Sequence, residues 1–301
     1  MSQAPAPGPP DRVDVEVAGR QLTLSNLGKP LYRSGFTKGE MIDYYVRVAD
    51  VLVPHIAERP LTLRRFPEGV EGQSWFQTRC RGRPAWMETH GVRIRTGEVH
   101  EYCLVNDVPS LVWVVNLGTI ELHPFLAPRT AEDRPTFIVF DLDPGPPAGL
   151  VECCRVALVV RGMLEEQGLS SFAKTSGSLG VHLYVPLGGT ATFDETKEFS
   201  RSIADRLARD RPDDVVATIG KAERAGKVLV DWVQNDRTRS TVAPYSLRAR
   251  GRPVVSTPVR WDEMEGAAED AAAAHALLFG PDQVLERVEQ HGDLFRDVLG
   301  R

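Results

Sequence analysis

Long hydrophobic runs are missing from this sequence of 301 residues. Its apolar stretches resemble the short one at residues 137–140, far below the roughly 18 residues that a membrane-spanning helix needs. The first ten residues contain no basic side chain and no apolar stretch, unlike a secretory signal peptide. We therefore expect a soluble, cytoplasmic protein that makes no use of a membrane, with residues 1–12 as a disordered tail.

Cysteine is also scarce, with only Cys80, Cys103, Cys153 and Cys154 in the chain. No two of them have the two-residue or four-residue gap of a zinc knuckle, so a structural zinc site is not indicated. We expect all four to be reduced thiols in a cytoplasmic protein. Cys153 and Cys154 fall in a helical apolar pattern and are expected to be small buried side chains.

Positive charge is in deficit overall, since the net charge is −5, which taken alone argues against a nucleic-acid partner. The distribution changes this argument, because residues 262–301 hold ten acidic and only three basic side chains. Residues 59–95 hold eight arginines against three glutamates, with four aromatic residues interleaved: Phe66, Trp75, Phe76 and Trp86. This segment is typical of a nucleic-acid surface, and a solvated charged face with a few core aromatics is the alternative.

Hydrophobic residues make up 42% of the chain, which suffices for one large or two modest globular domains and excludes disorder of the whole. Alternating apolar residues at 13–17 and 21–24 predict an opening hairpin. Thr37 and Glu40 form a capping-box pattern that predicts a helix, which Pro54 ends or bends.

The middle of the chain predicts the order strand, helix, strand, strand, helix, strand, at residues 137–143, 150–167, 171–175, 181–187, 194–209 and 227–233. This order is the split unit of ferredoxin-like and RNA-recognition (RRM) folds. In the usual arrangement the first strand is central, flanked by the third and the last. Helices then cover one face of the sheet, and the other face is free for a site whose second wall is the N-terminal module.

Three aspartates are the candidate metal ligands. Asp141 and Asp143 lie two residues apart on one strand, so their carboxylates share a face. Asp231 ends the neighbouring predicted strand, and the three carboxylates are expected to converge. Oxygen ligands favour Mg²⁺ or Mn²⁺, and two such ions suit nucleotidyl transfer. The alternatives are turn or capping aspartates before Pro144 and, for Asp231, a strand-end carboxylate paired with an arginine.

The loop at residues 174–182 contains two glycines and two serines, a composition that lets backbone N–H groups and hydroxyls face a phosphate. It lacks the Walker pattern, so ATPase chemistry of that type is not indicated. His182 could donate to a phosphate oxygen, although a structural histidine is the alternative. Four arginines near Asp231 suit a triphosphate or a DNA backbone, or are surface residues: Arg224, Arg237, Arg248 and Arg250.

Four ordered motifs carry a family resemblance: Phe-Asp-Leu-Asp-Pro-Gly, Lys-Thr-Ser-Gly-Ser-x-Gly-x-His, Val-Asp-Trp-x-Gln-Asn and Val-Ala-Pro-Tyr-Ser-x-Arg-Ala-Arg. Together they resemble the polymerase domain of bacterial DNA ligase D, a member of the archaeo-eukaryotic primase superfamily. The resemblance extends from about residue 22 to residue 261. It implies an α+β primase-like fold, in which an RRM-like catalytic sheet packs against an N-terminal α/β module.

The resemblance also implies an activity and its site residues. Similar proteins are DNA-dependent primase-polymerases that favour ribonucleotides, often use Mn²⁺, and fill gaps or extend ends in break repair. Carried over, the metal ligands are Asp141, Asp143 and Asp231, and the nucleotide-binding residues are His123, Ser176, His182, Arg224 and Arg248. The DNA-binding residues are Lys29 and Lys38 at a 5′-phosphate, Trp75 and Phe76 stacked on the template, and Arg64.

Two departures from the family pattern each remove a possible phosphate contact. Leu179 and Thr78 stand where relatives commonly carry lysine, which suggests weaker primer or gap affinity or another preferred DNA end. The length leaves no room for a ligase or nuclease domain, so we expect a free-standing, monomeric module acting at the bacterial nucleoid. Its expected partners are 5′-phosphorylated DNA gaps or ends, NTP or dNTP, a separate ATP-dependent ligase and a Ku-like end-binding protein.

Four segments are predicted: the tail at 1–12, an N-terminal DNA-binding module at 13–130, the catalytic module at 131–261, and an acidic helical segment at 262–301 packed on the same domain. Two other functions remain open. One is a non-catalytic DNA-end-binding repair module, against which the intact aspartates weigh. The other is a metal-dependent nuclease, which has no need of the phosphate loop.

Overall fold

The computed structural model describes residues 11–218, 220 and 223–300. Positions 1–10 of the predicted tail lie outside these residues, and Arg12 already belongs to the first strand, so the tail at residues 1–12 remains a prediction. The opening hairpin is confirmed: β1 (Arg12–Val17) pairs antiparallel with β2 (Arg20–Ser25). Ala18 and Gly19 both have positive φ, as a two-residue hairpin turn requires.

The remaining N-terminal elements are α1 (Lys38–Arg47), α2 (Ala49–Ile56), β3 (Leu61–Arg65), β4 (Trp75–Gln77), β5 (Thr89–Arg93), β6 (Val99–Cys103), α3 (Val108–Asn116) and β7 (Thr119–Pro124). Strands β3 to β7 form a five-stranded sheet in the order β4-β3-β6-β5, with β7 also paired to β3. The three helices and this sheet share one apolar core, which includes Met41, Leu52, Leu63 and Leu111.

The capping box at the start of α1 is confirmed, because Thr37 Oγ1 accepts from the Glu40 N–H and the Glu40 carboxylate accepts from the Thr37 N–H at 2.7 Å. The predicted end or bend at Pro54 is wrong, since the interruption comes at Val48, which ends α1 and precedes α2. Pro54 lies inside α2. There it removes only the hydrogen bond to the Asp50 carbonyl in the first turn of a short helix, which the buried neighbours Leu52 and Ile56 offset.

The following elements are β8 (Phe137–Pro144), α4 (Leu150–Glu165), β9 (Phe172–Thr175), β10 (Val181–Pro186), α5 (Phe193–Asp210), β11 (Val215–Val216), β12 (Val228–Asp231), β13 (Leu247–Ala249), β14 (Pro253–Val255) and β15 (Pro258–Val259). The predicted β-α-β-β-α-β order is confirmed in β8, α4, β9, β10, α5 and β12. The sheet has six strands in the order β11-β12-β8-β10-β9-β15, so β8 lies between the third and last strands of the split unit as predicted.

The two faces of β8 have different environments. Ile138, Phe140 and Leu142 pack with α4 and α5 in one apolar core. The alternate residues point to the opposite face, where Val139 is covered by apolar neighbours and Asp141 and Asp143 line an open cleft. The predicted division into a helix-covered face and a site-bearing face is therefore confirmed.

The C-terminal helices α6 (Trp261–Glu269), α7 (Ala271–Ala276) and α8 (Pro281–His291) contact both halves of the protein. Met264 packs in the core under the six-stranded sheet, whereas Val284 and Leu285 join the N-terminal core. Leu247 and Val255, on β13 and β14, also belong to the N-terminal core.

The predicted domain boundaries at residues 130 and 261 remain predictions. Within the described ranges, no helix combines the length and apolar character that crossing a membrane would require.

Candidate active site

A cleft of about 630 Å³ separates the open face of the six-stranded sheet from the N-terminal sheet. Residues from both sides line it, and seven of the predicted site residues are among them: Phe76, His123, Asp141, Asp143, Ser176, His182 and Arg248. Arg239 and Arg250 also line the cleft, so its walls are rich in basic side chains. The cleft therefore brings together residues from distant parts of the sequence, such as Phe76 and Arg248.

The strand register places the carboxylates of the floor. Asp141 lies opposite Asp231 on one side and opposite His182 on the other. Asp141 is buried, and its Oδ1 lies 3.2 Å from His182 Nε2 without an aligned hydrogen bond, so this oxygen has no hydrogen-bond partner. Asp143 is half-exposed at the rim, with Oδ2 4.0 Å from Arg224 Nη2.

Asp231 occupies the predicted place in the sheet, but its carboxylate is engaged locally. Its Oδ1 accepts from the Val233 N–H at 3.0 Å and its Oδ2 accepts from Gln234 Nε2 at 3.3 Å, which caps a short 3₁₀ helix. Among residues 11–218, 220 and 223–300, no three His, Cys, Asp or Glu side chains form a group that could hold a metal ion. The strand register thus places the three aspartates near one another as predicted. Their side chains do not form a metal-binding group in the described residues.

Electrostatics in the floor favour the arrival of positive charge. Burial and the negative charges of Asp141 and Asp231 raise the pKa of Asp143 to about 6. Burial and Asp141 likewise raise the pKa of Asp231. Burial also disfavours the Asp141 carboxylate, but His182 and Lys174 lower its pKa overall. Repulsion among these carboxylates is the kind that a divalent cation relieves.

The loop between β9 and β10 forms one wall of the cleft. Ser176 is buried in it, with its N–H bonded to the Gly180 carbonyl at 2.9 Å. Gly177 has a φ of +68°, and a Cβ there would lie 2.5 Å from Arg248 Cγ, so only glycine allows this approach. Leu179 is 51% exposed at the tip. The loop therefore packs directly against Arg248, and the Leu179 side chain is exposed to solvent.

Arg224 approaches the site from outside the cleft. A Cβ on Gly145 would lie 1.8 Å from the Arg224 carbonyl oxygen, so glycine at 145 is what admits the Arg224 backbone. Gly145 also donates to the Lys227 carbonyl at 2.8 Å. Arg224 is thereby held beside Asp143, and Arg237 instead pairs with Glu132 at 2.6 Å.

Three buried polar residues near the cleft were not singled out by the sequence analysis. Lys174 is fully buried, and its ammonium donates to Ser256 Oγ at 2.6 Å. Burial and the nearby Arg248 charge hold its pKa well below the usual range. Asn235 is fully buried against the backbone of Val139 on β8. The motifs contained both residues, but only the fold shows that the Lys174 charge acts on Asp141 and that Asn235 bonds to β8.

The third residue is Glu121, a fully buried carboxylate on β7. His123 Nε2 donates to its Oε2 at 2.9 Å, and Arg64 Nη1 donates to both oxygens at 3.3 Å. Burial opposes its ionisation, but His123, Arg248 and Arg64 together hold the pKa of Glu121 below its usual range. Burial lowers the pKa of His123. Spacing gave no signal for Glu121, because its partners are far apart in the sequence.

The predicted DNA-stacking pair is exposed on β4. Trp75 is 41% and Phe76 59% exposed, which is unusual for large aromatic residues. Arg64 and Arg65 lie opposite them on β3, with each guanidinium carbon 5.2 Å from the centre of the aromatic ring it faces. These stacked cations hold the two rings outward, where a flat base could contact them.

Lys29 and Lys38 lie together on the N-terminal module but are already engaged. Lys38 is buried and donates to the Ser25 carbonyl at 2.6 Å, and Lys29 pairs with Glu68 at 2.6 Å. Burial, Lys29 and Arg65 lower the pKa of Lys38 to about 8. A phosphate at this point would therefore meet a concentrated positive charge and would compete with Glu68 for Lys29.

The prediction of four reduced thiols is wrong for one pair. Cys80 and Cys103 form a disulfide, because the chain after β4 runs beside the end of β6 and Cys80 N–H bonds to the Glu101 carbonyl at 2.7 Å. Their separation of 23 residues gave no indication of this contact. The prediction of small buried thiols is confirmed for Cys153 and Cys154 in α4.

Comparison with known proteins supports one family. The model of the LigD primase-polymerase domain matches residues 37–295 of this chain. The polymerase domain from Mycobacterium tuberculosis ligase D, solved in complex with DNA, superposes with a TM-score of 0.85 at 34% identity, over 93% of this chain and 98% of that chain. The α+β primase-like fold and the family resemblance inferred from the sequence motifs are confirmed.

Two curated relatives are larger proteins. The multifunctional non-homologous end joining protein LigD of Mycolicibacterium smegmatis is 38% identical over 278 residues, 91% of this chain and 35% of that protein. The bifunctional non-homologous end joining protein LigD of Bacillus subtilis is 29% identical over 280 residues, 92% of this chain and 44% of that protein. The chain thus spans less than half the length of each of these relatives.

Proposed function

This chain belongs to the LigD primase-polymerase domain family, and we propose that it is a DNA-dependent nucleotidyltransferase that adds nucleotides to primer ends at short gaps and double-strand breaks. Its relatives are named for non-homologous end joining, and its solved structural neighbour holds DNA. Ribonucleotides are its preferred substrates in this proposal, and the bacterial nucleoid is its place of action. Its proposed partners are a separate ATP-dependent ligase and a Ku-like end-binding protein.

Two neighbouring carboxylates, Asp141 at the floor and Asp143 at the rim of a cleft with basic walls, carry this proposal. A nucleoside triphosphate is a polyanion. Arginines in the cleft can bind its phosphates directly, and carboxylates can bind them through a shared metal cation. The uncommitted Oδ1 of Asp141 supports a metal site, because a buried oxygen without a donor is costly unless a ligand satisfies it. Carboxylate oxygens select hard cations, so Mg²⁺ or Mn²⁺ is the expected metal.

Asp141 and Asp143 would hold the metal ions, and Asp231 would join them by exchanging its contacts with Val233 and Gln234 for a cation. Two bound ions would lower the charge barrier to attack on a triphosphate and stabilise the leaving pyrophosphate. His182 and Lys174 lie near Asp141 and lower its pKa, which favours the carboxylate form that a cation would bind.

In the proposed reaction the primer 3′-oxygen forms a bond to the α-phosphorus of the nucleotide. The bond from that phosphorus to the bridging oxygen breaks, pyrophosphate leaves and the hydroxyl proton passes to solvent. Ser176, His182, Arg224 and Arg248 would bind the triphosphate, and His123 would lie near the sugar. Their part is to orient the phosphates and stabilise the charge that develops on them.

DNA would contact the N-terminal module. Trp75 and Phe76 offer exposed rings to template bases, and such stacking contributes about 1–3 kcal/mol per base. Arg64 supports the Phe76 ring from below. Lys29 and Lys38 would hold the 5′-phosphate on the far side of a gap, which makes phosphorylated gaps the preferred substrate.

Extension of a labelled primer across a 5′-phosphorylated gap tests this proposal, with Mn²⁺ or Mg²⁺ and ribo- or deoxynucleotides. We expect templated extension by the wild type and a loss of at least about a hundredfold in Asp141→Ala/Asp143→Ala, because removing preorganised groups at a transferring phosphate has effects of this size. Calorimetric Mn²⁺ titration should show weakened metal binding in the same variant. Asp213→Ala/Asp214→Ala, an exposed pair with the same charge change, is the matched control.

Two outcomes would contradict the proposal. Tight binding to the gap without extension under any condition would indicate a recruitment module that binds DNA ends. Metal-dependent shortening of the primer would indicate a nuclease.

A further inference from the structure

Glu121 is the buried acidic group around which the N-terminal wall of the cleft is assembled. It lies on β7 with a side chain that has no exposed surface. A carboxylate in such a place is stable only when it is paired and hydrogen-bonded, because the loss of hydration costs several kcal/mol. The contacts that satisfy Glu121 come from residues that line the cleft or lie beside its lining residues.

These contacts come from three separate parts of the chain. Arg64 lies directly opposite Glu121 in the pairing of β3 with β7. His123 lies two residues further along β7, on the same face of the strand. From β13, the Ala249 N–H donates to Glu121 Oε1 at 3.0 Å, and Arg248 Nε lies 3.5 Å from the same oxygen.

The network also reaches the aromatic pair on β4. The Phe76 ring packs edge-on against His123, with ring centres 5.6 Å apart. Arg64 lies below Phe76 and also contacts Phe66, with its guanidinium carbon 5.2 Å and 5.1 Å from the two ring centres. Both residues that support Phe76 thus bind the same carboxylate.

Charge in this network is unevenly balanced. Two guanidinium groups, Arg64 and Arg248, face the single carboxylate, and burial favours the neutral form of His123. One positive charge remains in excess, and it lies on the cleft side, where Arg248 is a lining residue. Glu121 therefore orients the Arg64 and Arg248 guanidinium groups, and their remaining positive charge can attract an anionic ligand.

We propose that Glu121 is a positioning residue that sets His123, Arg248 and the Arg64–Phe76 pair in one arrangement, so that a single buried carboxylate aligns the nucleotide-binding and template-stacking residues. This inference rests on the proposed function. Glu121 itself contacts neither substrate in the proposal, because it is enclosed behind the residues that do. It acts through their orientation.

Glu121→Gln is the first test, since glutamine keeps the shape and one acceptor but removes the charge. We expect the KM for the nucleotide to rise and its affinity to fall by about tenfold, as loss of charge-assisted hydrogen bonds to the ligand-binding side chains predicts. Affinity for a short single-stranded template should also fall, because Phe76 loses its support. Glu101→Gln, an exposed carboxylate on β6 of the same sheet, is the control and should change neither affinity.

A double-mutant cycle distinguishes positioning from general stabilisation. Adding Glu121→Gln to Arg248→Ala should weaken nucleotide binding less than Glu121→Gln does alone, because part of its effect passes through Arg248. Adding it to Phe76→Ala should likewise have a reduced effect on template binding. If Glu121→Gln lowers the melting temperature but leaves nucleotide affinity, template affinity and KM at wild-type values, the proposal is overturned.

Glu121→Asp is the second variant, in case glutamine prevents folding. Aspartate keeps the charge but is one methylene shorter, so it should fold and show a smaller loss of nucleotide affinity. Wild-type affinity in a folded aspartate variant would overturn the proposal.

Equilibrium binding of nucleotide and template is measured apart from extension. A wild type that binds both but does not polymerise would therefore contradict the proposed function, while the binding data would still decide the role of Glu121.

Discussion

Lys38 is a cation whose surroundings disfavour its charge. Its ammonium is buried, is bonded to the Ser25 carbonyl, and has Lys29 and Arg65 as positively charged neighbours. These causes lower its pKa to about 8, so that its protonation changes within an accessible pH range. A bound phosphate would favour the protonated form.

The preference for a 5′-phosphorylated gap over a 5′-hydroxyl gap should therefore depend on pH. The free protein holds Lys38 charged below about pH 8 and neutral above it, so we expect the preference to fall between about pH 7 and about pH 9. Fluorescence anisotropy with the two gapped duplexes measures this ratio.

Lys38→Met provides the comparison for this prediction. It should show little preference for the phosphorylated gap at any pH in the range. A preference that stays constant with pH in the wild type would argue against Lys38 as the phosphate-binding group.

Residue types and their spacing predicted the relative positions of the candidate site residues that lie on regular strands. Asp141 and Asp143 share a face because side chains alternate along a strand, and Asp231 and His182 follow once the strand order is known. Glu121 could not be predicted in this way, since its partners come from β3 and β13, and their approach depends on the packing of the two halves.

At the scale of elements, a side chain completes the hydrogen bonding of β8 where β12 ends. β12 pairs with β8 only as far as Asp231 opposite Asp141, and the chain then turns into a 3₁₀ helix. Asn235 replaces the missing strand: its Oδ1 accepts from the Val139 N–H at 2.9 Å and its Nδ2 donates to the Val139 carbonyl at 2.8 Å. One side chain thus completes the backbone hydrogen bonding of β8 next to Asp141.

Asn235→Ala should destabilise the protein by about 2–4 kcal/mol, because it leaves the buried N–H and carbonyl of Val139 without partners. Chemical denaturation monitored by circular dichroism measures the change. Asn235→Asp should also destabilise, since a carboxylate cannot donate to the Val139 carbonyl. Gln21→Ala, which removes an exposed amide bonded to Glu16, is the control and should change stability little. Equal stability of the alanine variant and the wild type would contradict this account of β12.

At the scale of the whole molecule, charge is segregated along the chain. The acidic excess lies in the C-terminal helices, whereas the exposed arginines Arg81 and Arg83 follow β4 and are tied to β6 through the adjacent Cys80–Cys103 disulfide. This segment continues from the exposed Trp75 and Phe76. The net charge of −5 therefore gives no guide to the face that a nucleic acid would meet.

Arg81→Ala/Arg83→Ala should weaken DNA binding and reduce the slope of log Kd against log salt by about 2, because each phosphate contact contributes about one unit. Anisotropy titrations at several NaCl concentrations give this slope. Arg206→Ala/Arg209→Ala changes the net charge equally on exposed positions of α5, which covers the other face of the six-stranded sheet, and should leave the slope unchanged. A similar reduction in both variants would mean that only net charge matters.

The overall architecture was largely predictable because the half that contains the six-stranded sheet has the regular alternation of a split βαββαβ unit. The irregular parts were not predictable. The disulfide and the sharing of Leu247 and Val255 with the N-terminal core both depend on contacts between distant segments. Local patterns carry no information about such contacts.

The alternation along β8 limits how this protein can change in length. Asp141 faces the cleft and Leu142 the helices, so a single inserted residue before Asp141 would turn the acid into the apolar core and Leu142 into the cleft. Two inserted residues would restore the facing but shift Asp141 away from His182 and Asp231. Viable insertions and deletions are therefore expected in the connecting loops rather than within β8.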